Sequence, residues 1–75
     1  MAGPTTPEQR RFMLQEGKAY DILVRYHGAS PMAMLSGATN MAAHTTIDDK
    51  AIASALYKGM QYMGYMPGFS PPTSG

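Results

Sequence analysis

Seventy-five residues with six Lys or Arg, five Asp or Glu and a net charge of +1 describe one small domain. That balance excludes a chain that grips nucleic acid or an anionic membrane by bulk charge alone. With no cysteine, neither a disulfide nor a thiolate zinc site can staple the fold, and two histidines, His27 and His44, fall short of an ordinary closed metal site.

The first arm is residues 1–6, MAGPTT, whose Pro, Gly and Thr content reads as a flexible lead-in. Met1 reads as the start of a small intact protein. The MAGPTTPEQRR opening has no apolar signal core, so the chain is expected in the cytoplasm or in a particle assembled there. No stretch of about 18 apolar residues is present to span a membrane.

The first helix is predicted at about 7–27. Thr6 serves as N-cap, Pro7 takes the favoured first position, Gln9 completes a capping-box spacing, and Gly28 is the stop. At about 100° per residue, Phe12, Met13, Ala19, Tyr20, Ile22, Leu23, Val24 and Tyr26 gather on one broad apolar face. Glu16 falls inside that face, four residues before Tyr20 and near the line of His27. Such a carboxylate reaches to water or to a pairing partner; no nucleophile, oxyanion hole or phosphate loop accompanies it, so no catalytic residue is assigned. On the opposite side Arg11, Lys18 and Arg25 recur at seven-residue steps with Arg10 beside them. They form a basic face interrupted by Asp21.

Ser30-Pro31 repeats the cap-then-proline start for a second helix at about 31–43, with Met34, Leu35, Ala38, Met41 and Ala42 as its apolar stripe. Gly37 interrupts the stripe at about 1 kcal/mol, which leaves continuity through it undecided. A third helix is predicted at about 47–63, capped by Thr46, with Asp48 and Asp49 in its first turn, Gly64 as stop and Pro67 beyond. A helix-turn-helix pairing of the last two segments is disfavoured, because those two carboxylates would face the nucleic acid. The Pro/Ser-rich remainder, 67–75, reads as a C-terminal tail.

The third helix carries two seams. Ala51, Ala55 and Gly59 admit a close neighbour, and Ile52, Leu56, Met60 and Met63 fill a hydrophobic groove. So wide an apolar arc needs cover from two sides. Ile, Leu, Val and Phe together number only ten, against eight Met and five Tyr, so the private core is thin. A thin private core, with Met and Tyr carrying the missing apolar mass, points to oligomerisation or docking on a partner. The interface is expected on Ala51, Ile52, Ala55, Leu56, Gly59, Met60 and Met63, continuing to Tyr65, Met66 and Phe69.

The fold expected is all-α: a small three-helix bundle or helical hairpin with a short middle helix and Pro/Gly-rich arms. The function expected is non-enzymatic protein–protein contact by a structural or adaptor subunit that self-associates or docks in a larger assembly, such as a virion or scaffold accessory. The competing class is a small regulator that binds nucleic acid or an acidic protein through Arg10, Arg11, Lys18 and Arg25. A third is Cu(I) binding by clustered thioethers, Met60, Met63 and Met66 with Met32 and Met34. No cofactor or resident metal is otherwise called for.

Overall fold

The computed structural model of the chain describes residues 5–65. Three helices follow one another: α1, Pro7–His27; α2, Pro31–His44; and α3, Asp49–Tyr62. Each packs on the other two, which makes a three-helix bundle with α1 and α3 as its most extensive pairing. No described helix is long and apolar enough to cross a membrane.

Local chemistry accounts for most boundaries. Thr6 Oγ1 accepts from the Gln9 N–H and Gln9 Oε1 accepts from the Thr6 N–H, both at 3.0 Å, so the capping box is complete in both directions. Ser30 Oγ accepts from the Ala33 N–H at 3.1 Å, with Pro31 at the first position of α2. At the end of α3, Gly64 adopts φ +77°; its N–H donates to the Gln61 carbonyl at 3.1 Å and the Tyr65 N–H to the Met60 carbonyl at 2.9 Å. That pair of bonds is a Schellman stop, and it aims Tyr65 back at the helix it follows.

The cap of α3 is Asp48 rather than Thr46, and the helix begins at Asp49 rather than near 47. The reason lies in the preceding turn. The Thr45 N–H and hydroxyl both donate to the Met41 carbonyl, at 2.9 and 2.7 Å, and its Oγ1 then accepts from the Ile47 N–H at 3.3 Å. Thr45 thus closes α2, and Ile47 turns inward to pack on the core before a new helix can start. Asp48 then caps through the Lys50 N–H, while its own N–H donates to Gln15 Oε1 of α1 at 3.2 Å.

The core is compact: Ala19 and Leu23 of α1, Met34, Ala38 and Met41 of α2, Ile52 and Ala55 of α3. Tyr20, Ile22, Ile47, Leu56, Met60, Met63 and Tyr65 pack around it, half-buried. The middle helix runs unbroken through Gly37, and the imidazole of His27 lies directly on that glycine. This contact rotates α2 so that Met34, Gly37, Ala38 and Met41 face inward, and Leu35 and Ala42, expected on the apolar stripe, stand exposed.

Candidate protein-contact surface

The four small or apolar residues expected on a partner along α3, Ala51, Ile52, Ala55 and Gly59, are all buried within the chain. A Cβ on Gly59 would stand 3.2 Å from Met34 Sδ and 3.4 Å from a Val24 methyl, so α1 and α2 already occupy that seam. Leu56, Met60 and Met63 flank the core half-buried. Tyr65 is also drawn in: it packs on the core, and its hydroxyl donates to the Gly28 carbonyl at the α1–α2 turn. Met66 and Phe69 lie outside the described residues.

The pairs that meet across α1 and α3 run in the same order along both helices. Gln15 meets Asp48, Glu16 meets Ser54 and Lys58, and Gly28 meets Met63 and Tyr65. The two helices are therefore parallel and start out of step. With 21 residues α1 is about 31 Å long, against about 21 Å for the 14-residue α3, at 1.5 Å per residue. Since the start of α3 is pinned beside Gln15, the first two turns of α1, Pro7–Leu14, project past the bundle.

That projection carries apolar groups without core partners. Phe12, the largest apolar side chain of α1, is half-buried but outside the core cluster, and Met13 is 58% exposed. Both had been expected on the buried face. They point the correct way for it, but α2 and α3 do not extend far enough to cover them. Thr5, Glu8, Gln9, Phe12 and Met13 line a single shallow depression there. At the other end of the bundle Tyr26 is 72% exposed, Met32 70% and Tyr62 70%. Tyr62 leans edge-on against Tyr20, with ring centroids 6.4 Å apart and planes at 62°. Leu14, by contrast, lies on the back of α1 among Arg11, Lys18, Asp21 and Arg25, where a lone exposed apolar residue is ordinary.

Glu16, the odd carboxylate of the apolar face, pairs across to α3. It accepts from the Ser54 hydroxyl and forms an ion pair with Lys58 Nζ at 3.1 Å. The Ser54 bond foremost, then Lys58, hold its carboxyl below the ordinary value of 4.5 against the opposing effect of partial burial. A carboxyl with a depressed folded pKa releases its proton more readily folded than unfolded. Its contribution is present above the unfolded value and fades as pH falls through the folded one. Glu16→Gln is thus expected to lower stability by about 0.5–1 kcal/mol at pH 7, the exposed Lys58 end limiting the effect. The gap to wild type should narrow progressively as pH falls below the ordinary carboxylate value of 4.5, which urea midpoints across an acid pH series will show; an unchanged gap would mean the charge is irrelevant.

Of the basic face, Arg10, Arg11, Lys18 and Arg25 are all exposed, and Arg25 is engaged with Asp21 at 2.9 Å. The thioethers considered for Cu(I) are placed differently from one another: Met34 is fully buried, Met60 and Met63 are half-buried on the core, and Met32 is exposed. Among the described residues no group of three or more His, Asp or Glu is arranged to hold a metal ion.

No protein-family model, curated protein or solved structure matches the chain.

Proposed function

We propose that this chain is a non-enzymatic protein–protein interaction subunit, a small structural or adaptor element that self-associates or docks in a larger assembly. One observation carries this: the distribution of its large apolar side chains. Leu23 and Met34 are the largest side chains fully buried, whereas Met13, Tyr26, Met32, Leu35, Tyr57 and Tyr62 are exposed among the described residues. Met and Tyr are the residue types suited to such a surface, one adaptable and the other apolar with a polar tip. The surface differs from the seam first expected on α3, since it lies on the projecting start of α1 and around the far end of the bundle.

Recognition of nucleic acid or an acidic protein by the basic face has less support, because Arg25 is neutralised by Asp21 and Glu8 stands near Arg11 one turn away. The two functions respond differently to salt: charge-driven binding weakens steeply as salt rises, and apolar contact does not.

Photo-reactive residues at Met13 and at Tyr62, combined with mass measured against concentration, test the proposal. A protein-contact role predicts either a rise in mass with concentration or a specific cross-linked protein adduct at one of the two positions. A chain that remains monomeric to millimolar concentration and forms no specific adduct at either position would overturn it.

A further inference from the structure

The methionines of this chain differ in how readily an oxidant reaches them. Met13 and Met32 are exposed, Met60 and Met63 are half-buried on the core, and Met34 and Met41 are buried. Susceptibility to peroxide follows that order, and oxidation turns an apolar thioether into a polar, chiral sulfoxide. At Met13 and Met32 the new oxygen stays in water and costs the fold little. Met63 is placed differently. Its methyl lies against Gly28, 3.4 Å from where a Cβ on that glycine would stand, and the Gly28 carbonyl accepts the Tyr65 hydroxyl. Two side chains just past the end of α3 thus close on one residue of the α1–α2 turn.

We propose that Met63 is an oxidation-sensitive site whose sulfoxide releases Tyr65 from the α1–α2 turn. Hydrogen peroxide is the oxidant. The sulfur lone pair attacks one peroxide oxygen, and the O–O bond breaks as the S–O bond forms. The departing oxygen takes up the proton of the transferred one and leaves as water, so sulfur loses two electrons and peroxide gains them. The sulfoxide oxygen carries partial negative charge, as the Gly28 carbonyl does, and the two repel. Unlike the thioether, a weak acceptor, it also competes for the Tyr65 hydroxyl two residues along. Both effects weaken the same contact. Packing draws Met63 and Tyr65 inward, and oxidation turns them out again. The inference goes beyond the contact role proposed above, because it holds for an isolated monomer.

Peroxide treatment of the full chain tests this, in a Met60→Leu background that removes the other half-buried thioether at similar volume. Peptide masses should show oxygen on Met13 and Met32 first and on Met63 next, with Met34 and Met41 still reduced. At that stage the thermal midpoint should fall by about 4–8 °C, and return when methionine sulfoxide reductases restore the thioether. Met63→Leu, treated alike, should hold its midpoint within about 2 °C although the other accessible methionines still take up oxygen. Tyr65→Phe lacks the hydroxyl, so oxidation should shift its already lower midpoint by less than about half as much. A Met63 oxidised only together with Met34 and Met41 would overturn the inference, since the chain would then be reacting unfolded. So would an oxidised Met63 with no fall in midpoint, or an equal fall in either Met63→Leu or Tyr65→Phe.

Discussion

Leu23→Ala lowers the stability of this chain by about 3 kcal/mol, whereas Leu14→Ala on the same helix changes it by less than about 0.5 kcal/mol. Leu23 is fully buried at the centre of the cluster formed by Ala19, Met34, Ala38, Met41, Ile52 and Ala55. Truncation there removes apolar contact and leaves a cavity bounded by all three helices. Neighbours such as Ala19, Ala38 and Ala55 have no spare reach to fill it. Leu14 is 64% exposed on the outer side of α1, so its loss is felt mainly as helix propensity, which favours Ala. In a domain this small each kcal/mol moves the melting temperature by about 4–8 °C, which puts the Leu23→Ala midpoint roughly 12–24 °C below wild type. Thermal melts followed by circular dichroism separate the two variants. Equal shifts would mean that the core is not where the three helices meet.

The second large effect is a coupling between Gly37 and His27. A Cβ added there would stand 2.5 Å from Cγ and Cδ2 of His27 and 3.0 Å from its Cβ. Rotating the ring relieves the first two contacts but not the third, so α1 and α2 must move apart. Gly37→Ala should therefore cost about 1–3 kcal/mol despite its better helix propensity. His27→Ala removes the two ring contacts and keeps only the 3.0 Å contact to Cβ, so in that background the better helix propensity of Ala offsets what remains and Gly37→Ala should be close to neutral. A double-mutant cycle measured by urea unfolding checks this, with a coupling of about 1–3 kcal/mol expected. Additive effects would show that His27 does not hold the two helices at that spacing.

Three helices and nearly all of their ends could be read from short-range signals. Thr6 with Gln9, Ser30 with Pro31, and Gly64 each act on backbone groups within one turn of themselves, so their effect does not depend on the rest of the molecule. The start of α3 shows the limit of such signals. Thr46 and Asp48 can each cap a helix, Asp being the somewhat better cap, and the choice fell to Asp48 with Ile47 packed against the core and Gln15 of α1 placed to receive the Asp48 N–H.

Side-chain fates divide along the same line. Periodicity correctly assigned an apolar face to each helix, but which part of a face is covered depends on the length and rotation of its neighbours. Phe12 and Met13 lie on the correct side of α1, yet Phe12 is only half-buried and Met13 is exposed, because α3 begins only at the level of Gln15. Leu35 and Ala42 lost their place in the core because His27 packed on Gly37 and turned α2. The seam of Ala51, Ala55 and Gly59 did bring a helix close, but it was the chain's own. Tyr65 went inward because the Schellman turn at Gly64 directs it to the Gly28 carbonyl, two turns that are 36 residues apart in sequence. Helix formation is governed by hydrogen bonds spanning three to five residues, so it was legible along the chain. Coverage is governed by contacts between residues far apart in sequence, and only the packed arrangement of all three helices determined it.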